Sequence, residues 1–177
     1  MGHSTATRHQ LTAVGACPSP LQTANLAGTE NDFSFDLNPS GSEAGHLAAT
    51  VVVTTTEQAN QKLRALADGP AYLLCVTRDV EASMRASGGG LQVFSSTISE
   101  LGRHLPLPGR ALQVATIYQF GGIDRTMYTD VIKMYAGRLR ITLWFNRCCQ
   151  AFDPQFEEAV LNRIAPRMTA EARRLRD

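Results

Sequence analysis

The sequence predicts an α+β domain in which helices cover one face of an antiparallel meander sheet. Its 177 residues suit one domain with its own core. Between residues 91 and 145 apolar residues recur at every second position, as in strands, whereas the segments before and after this stretch include helical spacing. We therefore expect a single domain over residues 33–177. Residues 1–32 would form a polar arm or be the remnant of a leader or expression tag.

The first elements are expected before residue 70. Residues 33–37 alternate and predict a short strand, and the Val- and Thr-rich segment 47–54 predicts a mostly buried one. Thr54 and Glu57 have the spacing of a capping box, which predicts that a helix begins here. Its apolar stripe would consist of Ala59, Leu63, Leu66 and Ala67.

A second helix is expected over residues 71–86, because Gly69-Pro70 breaks the first helix and the glycines at 88–90 end the second. The apolar spacing then changes to every second residue, which predicts four strands. They cover residues 91–101, 112–120, 126–136 and 139–145. Gly137-Arg138 closes the last hairpin. One face of the last strand would then carry Leu139, Ile141, Leu143 and Phe145.

The last helix is expected to begin at Asp153, whose side chain caps it, with Pro154 in the first turn, where a missing amide is harmless. Pro166 removes a hydrogen bond from any helix that contains it, so we expect a kink or a new start there. Glu157 and Glu158 are adjacent and point apart, which suits compensation of the helix dipole better than acid–base catalysis. The side chains expected to face the sheet are Phe156, Val160 and Ile164.

Four cysteines indicate two disulfide bonds. Neighbouring side chains on a strand point to opposite faces, and a bond between neighbours closes a strained ring, so Cys148 and Cys149 are expected to have partners elsewhere. Crosslinks from Cys17 and Cys75 to this strand end would provide them. Zinc is the competing interpretation, but tetrahedral sites usually combine spaced pairs, and no histidine lies at a supporting interval. We expect disulfides at these cysteines and no metal.

Composition and motifs argue against several functions. The net charge of +1 is too small for sequence-independent binding of phosphate backbones, so no nucleic-acid partner is expected. The chain has no G-x-S-x-G motif, and Gly88-Gly89-Gly90 lacks the Lys-Ser/Thr pair of a phosphate-binding loop. His46 and His104 have no evident catalytic partner. The sequence therefore predicts a protein without catalytic residues and without a cofactor.

The most suggestive polar cluster is expected on the non-core face of the last two strands. It consists of Tyr128, Asp130, Arg140, Thr142 and Trp144. A tryptophan opposite another aromatic residue and beside an arginine is typical of a ligand groove or a partner surface. The alternatives are that a helix covers this face or that the residues form cross-strand pairs that stabilise the sheet.

The sequence contains no run of about 18 apolar residues that would suit a membrane span, and its first ten residues hold no apolar core for a signal peptide. Val14-Gly15-Ala16 nevertheless places small residues before Cys17, as a bacterial lipoprotein cleavage site does. In that interpretation Cys17 carries a lipid. The alternative is that Cys17 is a half-cystine or a buried thiol.

Several short segments between residues 47 and 170 occur in a characteristic order. They are Val51-Val52-Val53 before a Thr-capped helix, Cys75, Ser99-Glu100-Leu101, Leu105-Pro106-Leu107-Pro108, Tyr128-Thr129-Asp130-Val131-Ile132, and Gly137-Arg138 before Ile141-Thr142-Leu143. This order resembles the extracellular sensor domains of mycobacterial receptor serine/threonine kinases and similar small actinobacterial envelope lipoproteins. The resemblance implies an exported α+β domain, often disulfide-bonded, that binds a ligand or envelope component and has no catalytic residues. The Cys148-Cys149 doublet departs from that pattern.

We therefore expect a non-enzymatic binding or sensor domain of the cell envelope, held there by a lipid or a membrane anchor. Its partner would be a small molecule, a lipid or an envelope protein. The alternative is a cytoplasmic α+β enzyme or ligand-binding domain with a cone-shaped sheet, in which Cys148 or Cys149 is a reactive thiol. A purely structural envelope protein is the third possibility. Redox state separates the first two, because structural disulfides persist in oxidising compartments and are rare in the cytosol.

Overall fold

The computed structural model describes residues 28–37, 45–86 and 90–176. Its strands are β1 (Gly28–Leu37), β2 (Gly45–Thr54), β3 (Gln92–Glu100), β4 (Gly109–Phe120), β5 (Ile123–Ala136) and β6 (Leu139–Cys148). Its helices are α1 (Glu57–Ala67), α2 (Pro70–Ala86) and α3 (Pro154–Arg174). This element content confirms the predicted α+β class. The first 27 residues of the expected N-terminal arm lie outside the described residues.

The six strands form one antiparallel sheet in the order β1-β2-β6-β5-β4-β3. The predicted meander is confirmed, since β3, β4, β5 and β6 pair in sequence. The earlier strand β2 pairs with β6 at the far side of the meander. Its neighbour β1 is longer than the strand expected at residues 33–37, because it begins at Gly28.

One face of the sheet is the apolar core, and we call it the α3 face because α3 covers it. Ile132 and Met134 of β5 lie there with alternate residues of β6 and with Leu161 of α3. The ring of Phe145 meets that of Phe152 edge-on, with centroids 5.5 Å apart. The predicted core positions of β6 are therefore confirmed, and all four are buried: Leu139, Ile141, Leu143 and Phe145.

The opposite face is the α1 face. Leu63 of α1 packs on Val52 of β2, and both side chains are fully buried. Lys133, which alternates with the core residue Ile132, donates from Nζ to the carbonyl of Ala67 at the end of α1. Helices therefore lie on both faces of the sheet, because α1 covers the face opposite the one that α3 covers.

Three local predictions about the helices need correction. The N-cap of α1 is Thr56, whose hydroxyl accepts from the amide of Ala59, whereas the Thr54 hydroxyl donates to the carbonyls of Thr56 and Arg138. Thr54 therefore ties α1 to the β5–β6 hairpin instead of capping the helix. Leu66 is 43 % exposed, so it is not part of the buried stripe.

The third correction concerns Pro166, where a kink or a new start was expected: α3 continues from Pro154 to Arg174, which excludes the new start. Its predicted cap is confirmed, because the Asp153 side chain accepts from the amide of Gln155. Of the side chains predicted to face the sheet, Val160 and Ile164 pack against the core, whereas Phe156 contacts Phe145 but is 39 % exposed. The buried positions are Glu157, Leu161, Ala165, Met168 and Ala172.

Two glycines are required by the backbone around β5. Gly137 has φ +53° in the tight β5–β6 turn, a conformation that side chains with a Cβ rarely adopt. Gly109 begins β4, and a Cβ there would lie 2.1 Å from the carbonyl oxygen of Lys133. The close approach at Gly109 fixes where the segment between β3 and β4 meets the sheet.

Among the described helices, none is long and apolar enough to cross a membrane.

Candidate functional site

The five polar residues predicted to share one face are divided between two faces. In the β5–β6 pairing Val131 is opposite Trp144 and Asp130 is opposite Phe145, so Asp130 lies on the α3 face. Tyr128 lies two residues from Asp130 in β5 and is therefore on the α3 face as well. The prediction of a single groove is therefore wrong, because directly paired residues of an antiparallel sheet share a face. The residues that stay together, on the α1 face, are Arg140, Thr142 and Trp144.

Arg140 is the most unusual member of the α1 face. It is 2 % exposed, and its Nε and Nη1 have no hydrogen-bond acceptor among the described residues. The residues paired with it on either side are Val52 of β2 and Tyr135 of β5. A buried guanidinium with unpaired donors lowers stability, because hydration is lost without compensation. Thr142 is also buried, so a helix-covered face, one of the alternatives raised from sequence, describes this region better than an open groove.

Lys133 lies on the same face and has clear structural partners. Besides the Ala67 carbonyl, its Nζ lies 3.9 Å from Asp68 Oδ1 and 4.6 Å from the ring centre of Tyr72. Arg110 adds a second hydrogen bond to this helix end, from Nη1 to the Asp68 carbonyl at 2.6 Å. Burial lowers the pKa of Lys133 to about 8, partly opposed by Asp68. These contacts make Lys133 and Arg110 a cap for the carbonyl end of α1.

Tyr135 completes this polar group. Its hydroxyl donates to Asp68 Oδ1 at 3.2 Å, and the Arg64 guanidinium lies 5.1 Å from its ring centre. Burial, followed by the charge of Asp68, raises the pKa of Tyr135 above its usual value. The tyrosine therefore stays protonated and acts as a donor to the carboxylate.

The α3 face contains a buried pair of carboxyl groups. Asp130 of β5 and Glu157 of α3 are both 0 % exposed. Arg103, from the segment between β3 and β4, places Nη1 2.5 Å from Glu157 Oε2 and Nη2 3.5 Å from Asp130 Oδ2. Gln113 donates to Asp130 Oδ1 at 2.9 Å. Two acidic groups thus share one guanidinium inside the protein.

This carboxyl pair holds a proton near neutral pH. Burial, followed by hydrogen bonding to Asp130 and the charge of Asp130, raises the pKa of Glu157 to about 8, against the opposing charge of Arg103. Apart from the Arg103 ion pairs, Asp130 Oδ2 and both Glu157 oxygens have no hydrogen-bond partner among the described residues when both groups are ionised. A proton on Glu157 supplies the missing bond to Asp130. The pair then carries one negative charge, which Arg103 neutralises.

Arg103 also lines an open pocket of about 350 Å³. The segment between β3 and β4 forms its wall, and Leu101, Leu105 and Leu107 of this segment pack partly against the core. Arg110 is held at the rim by an ion pair with Glu100. The complete lining is Glu100, Leu101, Arg103, His104, Leu105, Leu107, Gly109, Arg110 and Ala111. This volume is in the range of small-molecule sites, and the exposed lining is mostly polar, with a smaller apolar part from the leucines.

Sequence reasoning did not select Arg103, Glu157 or the pocket. The position of Asp130 could have been predicted from strand alternation. Asp130 lies two residues from Ile132 and four from Met134, so its carboxyl group is on the same, apolar face of the sheet. Glu157 and Glu158 do point apart, as predicted, but one of them points into the core. The conformation of the segment around Arg103 has no sequence period from which it could be derived.

The cysteine pairing differs from the prediction. The sulfurs of Cys148 and Cys149 are bonded to each other, so the expectation that each has a distant partner is wrong. Cys75 is also disulfide-bonded, and the described residues contain no free cysteine. Cys17 lies outside the described residues. No cluster of potential metal ligands occurs in the described ranges.

Comparisons with known proteins add little. No family model matches the chain, and no curated protein matches it. A solved structure that is similar to it is PA94 from Pseudomonas aeruginosa, a protein of unknown function, at 13 % sequence identity over 95 % of each chain, with a TM-score of 0.30. A score this low gives no support for a shared function. The function must therefore be inferred from the residues of this chain.

Proposed function

We propose that the protein is a non-enzymatic, sensor-like domain that binds a small ligand in the pocket between β3 and β4. One observation carries this proposal: Arg103 lies between the pocket and the buried carboxyl pair, in contact with both. A pocket in which charged groups converge beside a residue of shifted pKa is a candidate binding site. Because Arg103 is also ion-paired with Glu157, a ligand that contacts Arg103 can affect the position of α3.

The ligand class follows from the lining. Two guanidinium groups line the pocket, and both are ion-paired, Arg103 with the carboxyl pair and Arg110 with Glu100. They offer further N–H donors to an anion, and His104 is exposed beside them. The leucines provide an apolar wall on the opposite side from solvent. This combination favours a small amphipathic molecule with an anionic group, such as a medium-chain carboxylate.

The lining also supports a binding role over catalysis. Among the pocket residues there is no serine, threonine, cysteine or lysine that could act as a nucleophile. Glu157 is fully buried behind Arg103, where it cannot reach a ligand while the ion pair is intact. We therefore retain the non-enzymatic interpretation.

The disulfide of Cys75 supports a location outside the cytoplasm, because structural disulfides persist in secreted and envelope proteins. We propose that the domain works in the cell envelope, retained by a lipid or a membrane anchor. An envelope protein or a lipid would then be a further partner.

Isothermal titration of the purified protein with octanoate, with octanol as the neutral control, tests the ligand class. We expect octanoate to bind and octanol to bind at least about tenfold more weakly, which corresponds to about 1.4 kcal/mol. Arg103→Gln should weaken octanoate binding by a similar factor. Arg163→Gln, which removes an exposed arginine of α3, is the matched control and should leave binding unchanged.

Equal binding of octanoate and octanol would show that the pocket does not select an anion. Unchanged octanoate affinity in Arg103→Gln, with the fold intact by circular dichroism, would place the ligand elsewhere. Either result contradicts the proposed site.

A further inference from the structure

The Cys148–Cys149 pair lies at the end of β6, far along the chain from the segment that forms the pocket. Cys149 is exposed, and Cys148 is half-buried. The amide of Cys149 donates to the carbonyl of Thr126 at 2.7 Å, which holds the pair against β5. The pair is therefore held at a sheet end, and one of its two residues is exposed to solvent.

This disulfide has no evident structural purpose. A disulfide stabilises a fold chiefly by closing a long loop in the unfolded chain, and a bond between adjacent residues closes none. It also accompanies φ +74° at Cys149, the one non-glycine residue with positive φ in the described chain. Positive φ is unfavourable for a residue with a Cβ, so the oxidised pair coincides with a backbone conformation that cysteine otherwise avoids.

The surroundings suit two thiolates. The hydroxyl of Tyr118 lies 3.1 Å from Cys148 Sγ, and Nη1 of Arg125 lies 4.0 Å from Cys149 Sγ. Tyr118 and Arg125 are directly paired across β4 and β5, so the sheet itself positions both groups on one side. A hydroxyl donor and a guanidinium stabilise the negative charge that develops on sulfur when a disulfide is cleaved.

We propose that Cys148 and Cys149 form a redox-active dithiol/disulfide site that exchanges with low-molecular-weight thiols. The thiolate of a first small thiol attacks the exposed Cys149 Sγ, forms a mixed disulfide and releases Cys148 as a thiolate, which Tyr118 stabilises. A second small thiol attacks the external sulfur of the mixed disulfide and releases Cys149 beside Arg125. Two thiols thus lose two electrons and become one small disulfide, while the protein gains two thiols.

The site is independent of the proposed ligand pocket, and it can be tested by peptide mapping. Trypsin cleaves after Arg147 and Arg163, so both cysteines fall in one peptide, 148–163, whereas Cys75 falls in peptide 65–78. The native protein is incubated with graded reduced glutathione, alkylated and digested. We expect peptide 148–163 to acquire two labels at about tenfold lower glutathione than peptide 65–78.

Variants of Tyr118 and Arg125 test whether these two residues, and not solvent exposure alone, make the Cys148–Cys149 disulfide reactive. Arg125→Gln and Tyr118→Phe should each slow the labelling of peptide 148–163 by about threefold to tenfold, and Arg125→Lys should restore most of the rate. Arg167→Gln, an exposed arginine of α3, is the matched control and should have no effect. The double variant Cys148→Ser/Cys149→Ser should keep the thermal unfolding midpoint of the reduced protein.

Three results would overturn the proposal. One is a crosslink between peptide 148–163 and another peptide in the unreduced digest. Another is labelling of peptide 148–163 only at the glutathione concentration that labels peptide 65–78. The third is an unchanged rate in both Arg125→Gln and Tyr118→Phe, which would mean that exposure alone governs the reaction.

Discussion

Phe145 and Trp144 are neighbours in β6, yet their side chains lie on opposite faces of the sheet and in different surroundings. Phe145 is fully buried among Phe152, Phe156 and the apolar residues of the α3 face. Trp144 lies half-buried on the α1 face, two residues from the buried Thr142, and it is directly paired with Val131 of β5. The same alternation that gives β5 its apolar Ile132 and Met134 also gives it Lys133 and Tyr135.

The two faces of the sheet are stabilised by different interactions. The α3 face obtains stability from apolar burial and admits charge at one end, where Arg103 compensates the carboxyl pair. The α1 face instead holds charged groups at its centre, and their partners are a helix end and Asp68. Stability should therefore depend on side-chain volume on the first face and on pairing of charges on the second.

Truncation of the two neighbours gives the largest expected contrast. Phe145→Ala should lower the free energy of unfolding by about 3–5 kcal/mol, because it leaves a cavity in the core. Trp144→Ala should lower it by clearly less, since that side chain is already partly in water. Urea unfolding at pH 7 measures both. Equal losses would mean that Trp144 belongs to a core as tight as that of Phe145.

The charged end of the α3 face is tested by Arg103→Leu. Removing one partner of a buried ionic group leaves the carboxyl pair uncompensated, so we expect a loss of about 3 kcal/mol at pH 8. At pH 5 the loss should be smaller, because Glu157, with a pKa of about 8, is then protonated and leaves less buried negative charge without a counter-ion. Circular dichroism during urea unfolding at the two pH values measures the difference. A loss that is the same at both would contradict the role of Arg103 as counter-ion.

The two faces should also respond to pH with opposite signs. The pKa of Glu157 is about 8 in the folded protein, above its ordinary value of 4.5, so the native state binds more protons and stability falls as pH rises from 4.5 to 8. The pKa of Lys133 is lowered from 10.5 to about 8, so the unfolded state binds more protons above pH 8 and stability rises there.

Stability should therefore pass through a minimum near pH 8. The fall from pH 5 to pH 8 should be at least about 1.4 kcal/mol, the equivalent of one unit of pKa shift. Glu157→Gln should flatten this fall, and Lys133→Met should flatten the rise above pH 8. Thermal unfolding over this pH range is the measurement. A wild-type fall that persists unchanged in Glu157→Gln would assign it to another group.

The smallest effect has the opposite direction, because Arg140→Met should stabilise the protein. The substitution removes unpaired buried donors and keeps most of the side-chain volume, so we expect a gain of about 1–3 kcal/mol. Arg167→Met, on the exposed side of α3, should change stability by less than about 0.5 kcal/mol. A loss in Arg140→Met would mean that the guanidinium makes an interaction that the fold needs.

Much of this fold follows from local sequence patterns. The period of two in β4, β5 and β6 predicted the meander and the core residues of β6, and Asp153-Pro154 predicted where α3 begins. The start of α1 was misassigned, because the three threonines at 54–56 offer several possible caps and only the hairpin contact of Thr54 decides between them. Local patterns fail where a residue's partner is distant in the chain.

The candidate site depended on such distant partners. Asp130, Glu157 and Arg103 come from three separate segments, and the segment that carries Arg103 has no periodic pattern. The predicted cluster failed for a different reason: Tyr128 and Asp130 were placed with Arg140 and Trp144 by their proximity in the hairpin, although the register gives them opposite parity. Counting residues from Ile132 would have separated them.

Pro166 affects how α3 unfolds locally. A proline inside a helix has no amide to bond to the carbonyl four residues earlier, which here belongs to Asn162. The hydrogen-bond ladder of α3 is therefore interrupted between a first half anchored by Glu157 and Leu161 and a second half anchored by Met168 and Ala172. Amide hydrogen exchange should therefore resolve the two halves as separate opening units.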